Sequence, residues 1–164
     1  MRKKGSIGLE TLFLIVVVFA MALTVFMGKS LVDDLNADIQ GDSDFSAEAK
    51  AVSLDVQTRY PLVMDGAVIF LYVMVWIAIL ISAYVIDTHP VFFIVSLIVI
   101  VITLIVALSI SDGYTELMTD ADFSTMPTSF PMIHFLLSNL FILTVLQAFS
   151  VAVVLYGKYR SGAG

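Results

Sequence analysis

Residues 91–110 read VFFIVSLIVIVITLIVALSI, twenty residues without a charge and rich in Val and Ile. In water that composition favours a β-strand. Strands in globular proteins are usually shorter than about ten residues, however. Twenty residues at about 1.5 Å each make a helix about 30 Å long, which is the thickness of a bilayer's hydrocarbon core. Inside lipid a segment must satisfy its own backbone hydrogen bonds, and a helix does so alone. Length and continuity therefore overrule strand propensity, and the run is read as a transmembrane helix.

Three similar runs surround it. Residues 66–86 read GAVIFLYVMVWIAILISAYVI, separated from the first run only by Asp87-Thr88-His89-Pro90. That connection is too short for anything but a tight turn, so the two runs are expected to form a hairpin. Residues 11–28, TLFLIVVVFAMALTVFMG, are uncharged and just long enough to span. Residues 132–157, MIHFLLSNLFILTVLQAFSVAVVLYG, give a fourth run. A transmembrane β-barrel would need segments of about ten residues that alternate apolar and polar, and these runs are continuous. The expected fold class is all-α, a polytopic membrane protein with four transmembrane helices.

Composition agrees. Hydrophobic residues make up 60% of the 164 and charged residues 13%, with a mean hydropathy of +1.02. Soluble domains average about 45–50% apolar and about 25% charged, so the excess must face lipid. There is no cysteine, which excludes disulfides, thiolate metal sites and Cys nucleophiles. His89 and His134 are far apart in sequence and lack a ligand-spaced partner, so no metal and no cofactor is expected.

The chain divides into five parts: 1–28, a basic N-terminus and first span; 29–65, an acidic amphipathic helical segment outside the membrane; 66–110, the central hairpin; 111–131, an acidic loop outside; and 132–164, the fourth span and basic C-terminus. In 29–65, Asp33, Asp34, Asp38, Asp42, Asp44, Glu48, Asp55 and Asp65 outnumber Lys29, Lys50 and Arg59. Leu31, Val32, Leu35 and Ile39 recur at helical spacing, which carries the first helix on to about Gln40. Gly41-Asp42-Ser43-Asp44 breaks it. Ser46 is placed to cap a second amphipathic helix that stops before Pro61. The acidic runs are too short for a calcium loop and are read as solvated faces.

Arg2, Lys3, Lys4, Lys158 and Arg160 flank the first and last spans. With four spans both termini share one side, and the positive-inside rule makes that side cytoplasmic. The two acidic segments then share the other side. They would repel phosphates, so no direct nucleic-acid binding is expected.

Enzyme motifs are missing: no Gly-rich phosphate loop, no Gly-x-Ser-x-Gly and no His-Glu-x-x-His. Asn139, Gln147 and Ser150 fall on one face of the fourth span. Polar side chains there hold helices together by about 0.6 kcal/mol each, and helix packing is their expected role. A pore lining would need similar residues on neighbouring spans, and the third span offers only Ser96, Thr103 and Ser109.

The amino terminus carries one specific signature. Arg2-Lys3-Lys4-Gly5, then Ser6-Ile7-Gly8-Leu9-Glu10 and an apolar run, resembles the class III (prepilin-type) signal of type IV pilins and archaeal pilin-like proteins. In that family a basic leader ends at a glycine, cleavage follows it, and a glutamate stands fifth in the mature chain. Gly5 and Glu10 match that spacing. The resemblance covers about 28 residues, after which this chain returns through the membrane where pilins continue into a globular head. The remainder, with Asp87-Thr-His-Pro and Phe130-Pro131-Met132, loosely resembles small polytopic proteins of internal-membrane icosahedral viruses. What this implies is a structural virion protein of an internal membrane, with the bilayer and other membrane or capsid proteins as partners, in homo- or hetero-oligomers. The alternatives are an accessory or pilin-like subunit of a cellular membrane complex, and a channel- or holin-like protein.

Overall fold

The computed structural model describes residues 7–85 and 90–160. Among them every regular element is a helix: α1 (Ile7–Gly41), α2 (Ala47–Val85), α3 (Pro90–Leu117), α4 (Met126–Ser129), α5 (Pro131–Ser138) and α6 (Leu140–Arg160). Four helices, α1, α2, α3 and α6, are long and apolar enough to cross a membrane. The protein is an all-α, multi-pass membrane protein.

The helices are unequal in length for a physical reason. α1 has 35 residues and α2 has 39. At about 1.5 Å per residue they are about 52 and 58 Å long, well beyond a hydrocarbon core of about 30 Å. Their excess is the acidic segment, so α1 and α2 leave the bilayer together as a helical hairpin. Its tip turns at Asp42–Ser46. There the Asp44 N–H donates to Asp42 Oδ1 at 2.8 Å, and the Ala49 N–H donates to Ser46 Oγ at 3.2 Å. Ser46 thus caps α2 as its sequence position predicts.

Inside the bundle α1 is the central helix. Of its spanning window 39% is buried, against 22%, 17% and 22% for α2, α3 and α6. Leu14, Val18, Ala22, Val25 and Phe26 recur every three or four residues and form its inward stripe. They meet Val68, Tyr72, Ile79 and Ala83 of α2, Tyr114 of α3 and Val151 of α6. On α3 the buried stripe is Thr103, Ala107, Ser111 and Tyr114. Its small members let neighbouring backbones approach, the usual solution where lipid supplies no hydrophobic drive between helices. Phe13, Phe70, Ile81, Ile105 and Phe149 are exposed and face where lipid tails would lie.

Three expectations need correction. α2 does not stop before Pro61 but runs through it. An interior proline removes one backbone hydrogen bond and costs about 3 kcal/mol. Side-chain contacts pin α2 to α1 on both sides of Pro61: Gln57 and Tyr60 bond to Asp33 and to the Val25 carbonyl before it, and Val68 and Tyr72 pack in the core shared with α1 after it. The segment 111–131 is not all loop. α3 continues to Leu117 because Ser111 and Tyr114 extend its buried stripe, and α4 follows after a turn. The fourth run is not one helix either. It is broken between α5 and α6 at Asn139, whose φ of −110° and ψ of 17° leave the helical region. The Asp87-Thr88-His89 part of the expected tight turn lies outside the described residues.

Candidate functional site

At the end of the bundle where the hairpin leaves the apolar band, six side chains knit α1, α2, α3 and α5 together. Asp65 of α2 is 5% exposed. Its Oδ1 accepts the Ile133 N–H at 2.7 Å and its Oδ2 accepts the Met132 N–H at 3.0 Å. These are orphan donors of the first turn of α5, which begins at Pro131, and a carboxylate is the preferred partner for that positive helix end. Asp65, expected with the other acids to be solvated, is instead a buried cap. Leaving two buried N–H groups unpaired would cost about 2–4 kcal/mol.

Beside it, Tyr114 Oη and His134 Nδ1 lie 2.9 Å apart. Tyr114 also meets Phe26, with ring centroids 6.4 Å apart, and Phe26 meets Phe130 at 5.5 Å. Tyr60 stands edge-on to Phe130 and donates its hydroxyl to the Val25 carbonyl at 3.1 Å. Gly28 makes that approach possible: a Cβ there would stand 2.1 Å from Tyr60 Oη. Each oxygen of Asp65 already holds a backbone donor and His134 Nδ1 is engaged by Tyr114. The chemistry of this knot is that of fixing helix positions.

Above the knot, the hairpin is joined by polar groups. Gln57 donates to Asp33 Oδ1 at 2.7 Å, Asn36 donates to Gln57 Oε1 at 2.8 Å, and Ser53 donates to Asn36 Oδ1 at 2.9 Å. Nearer the tip, Gln40 Nε2 donates to the Lys50 carbonyl at 2.8 Å and Lys50 Nζ to the Gln40 carbonyl at 3.1 Å. Lys29 pairs with Asp33 one turn along α1. Burial acts to raise the Asp33 pKa, but hydrogen bonds from Lys29 and Gln57, with the charge of Lys29, outweigh it and hold the carboxyl below its ordinary 3.8.

This seam inverts the usual helical hairpin, in which apolar residues face each other. The apolar residues stand to one side instead. Val32, Leu35 and Ile39 of α1 and Ala49, Val52 and Val56 of α2 line a shallow groove of about 400 Å³. Leu35, Val52 and Val56 are 60%, 63% and 50% exposed.

The residues singled out from sequence are dispersed. Asn139 ends α5, donating to the Phe135 carbonyl at 2.9 Å. Ser150 donates to the Leu146 carbonyl of its own helix at 2.7 Å. Gln147 is fully buried, and its amide oxygen and nitrogen, with Tyr72 Oη and Trp76 Nε1, have no hydrogen-bond partner among the described residues. No two of Asn139, Gln147 and Ser150 share a hydrogen bond. Lys158 is buried near the end of α6, and Arg160 closes that helix. Glu10 lies in the first turn of α1, where the helix dipole favours an acid. Arg2, Lys3, Lys4 and Gly5 lie outside the described residues. Among the described residues no group of three or more His, Asp or Glu is placed to hold a metal.

Asp65, Gly28, Tyr60 and Tyr114 were missed by sequence reasoning. Pro131 signals a helix start. Nothing local links it to an acid 66 residues upstream. Compared with protein-family models, with curated proteins and with solved structures, the chain matches none.

Proposed function

We propose that this protein is a non-enzymatic structural subunit that packs into a larger membrane-embedded assembly, with both termini on the cytoplasmic side. The observation that carries this reading is the inverted hairpin. Six apolar side chains, three of them exposed and three half-buried, line one face of two helices that spend their polar groups on each other. A contiguous exposed apolar patch outside the bilayer marks an interaction surface. The knot around Asp65 supports the reading, because it holds the hairpin at a fixed attitude to the bundle. A virion's internal membrane is the concrete assembly that the sequence resemblance offers.

The test is the size of the native particle. Extracted from its own membrane in a mild detergent, the 17.9 kDa chain is expected to run in a complex several times that mass. A monomer under those conditions would overturn the proposal. For the virion version, the protein must be present in purified particles, and its absence from them overturns that version alone.

A further inference from the structure

The groove's floor and flanks together specify an occupant. Val32, Leu35 and Ile39 are spaced by three and then four residues, and so are Ala49, Val52 and Val56 on the antiparallel helix. Both helices thus carry the spacing of a coiled-coil seam, and the two seams lie side by side facing water. At about 100° per residue, Asp38 and Asp34 stand beyond Leu35 on the outer flank of α1. Glu48 and Asp55 stand beyond Val52 on the outer flank of α2, by the same spacing. All four acids are exposed. The nearby bases offset only Asp55 and leave Asp34, Asp38 and Glu48 as net acid on the two flanks. Arg59 is paired with Asp55 at 2.7 Å, and Lys50 is turned into the seam toward the Gln40 carbonyl.

We infer that the groove docks an amphipathic helix of a partner protein, apolar along one face and bordered by lysine or arginine. The inference rests on the assembly reading and names the surface and the chemistry of the contact. A helix laid between the two seams places its apolar side chains among six waiting ones, and its basic borders meet acid on either side. A second copy of this chain docked groove to groove would set acid against acid, which costs affinity. Anionic lipid headgroups meet the same repulsion.

The experiment uses the full chain in nanodiscs of zwitterionic phosphatidylcholine, so that a basic peptide has no anionic lipid to bind. The probe is a synthetic helix of about 20 residues, about 30 Å long, with leucine at the seam positions and lysine at the borders. A matched peptide carries glutamate in place of each lysine. The lysine peptide is expected to bind saturably, one per chain. Leu35→Gln with Val52→Gln is expected to weaken it by about ten-fold or more, as is Asp38→Asn with Glu48→Gln, and the glutamate peptide is expected to bind at least about ten-fold more weakly. All four positions are exposed, and circular dichroism confirms that the variants stay helical. Three results would overturn the inference: no binding, equal binding of the two peptides, or binding untouched by Leu35→Gln with Val52→Gln. Stoichiometric disulfide formation between copies carrying Val52→Cys would also overturn it, by assigning the groove to a second copy. If the peptide fails while the native complex persists, the docking inference falls and the assembly reading stands. If the peptide binds and the native chain is monomeric, the reverse holds.

Discussion

Asp65 and Gln147 are both polar and both buried, and their environments give them opposite energetic signs. Asp65 spends each oxygen on a backbone N–H of α5, so its removal exposes the cost of two unpaired donors. Asp65→Ala is expected to lower unfolding stability in detergent by about 2–4 kcal/mol. Gln147 keeps the desolvation cost of a primary amide with no bond among the described residues to offset it. Gln147→Leu, similar in volume, is expected to raise stability by about 1–3 kcal/mol. The same thermal or denaturant titration reads both variants. A loss of stability in Gln147→Leu would show that the amide has a partner the four-helix bundle does not supply. Gln147 was visible in the sequence as a polar residue in an apolar run, because composition alone marks it. Asp65 was not, because it stands in an acidic stretch among residues that are solvated, and only the fold brings Pro131 to it.

The hairpin is held by side chains that titrate, so its closure depends on pH. The Asp33 carboxyl is depressed below 3.8 in the folded hairpin, chiefly by Lys29 and Gln57 acting against burial. Folding therefore favours its ionised form. That contribution is fully present above pH 3.8 and is lost as the pH falls below 3.8 through the folded value. Spin labels at Ala37→Cys and Leu54→Cys, both exposed on the hairpin, would report it. Their distance distribution is expected to broaden between about pH 7 and about pH 3, and Asp33→Asn is expected to remove most of that change. An unchanged pH response in Asp33→Asn would assign the effect to other carboxylates. The long first helix, its break near Gly41 and the Ser46 cap were legible in sequence because each has a local signal. The continuation of α2 through Pro61 was not. Proline ends helices by its own chemistry, and here contacts to α1 override it, by hydrogen bonds from Gln57 and Tyr60 before it and by packing of Val68 and Tyr72 after it. The polar seam was also hidden, since Asn36, Ser53 and Gln57 gain meaning only when paired across the two helices.

The whole molecule is asymmetric along the membrane normal. The acidic hairpin and the turn before α4 share one end of the bundle, tied by Phe26, Tyr114 and Phe130, and α6 ends in Lys158 and Arg160 at the other. The chain has no cysteine, so single reporters are easily introduced. In intact cells a membrane-impermeant maleimide is expected to label Ser43→Cys and to spare Ser161→Cys until the cells are opened. Labelling of Ser161→Cys alone would reverse the orientation. α1 and α2 cross the apolar band and continue to the hairpin tip without interruption. Tied to the bundle by the knot at Asp65, the hairpin is a lever that moves with the bundle. A change in bilayer thickness alters the tilt of a spanning helix, and a tilt of about 10° swings the tip of an arm about 20 Å long by about 3 Å. The thickness of the surrounding membrane is thus expected to set the aim of the hairpin.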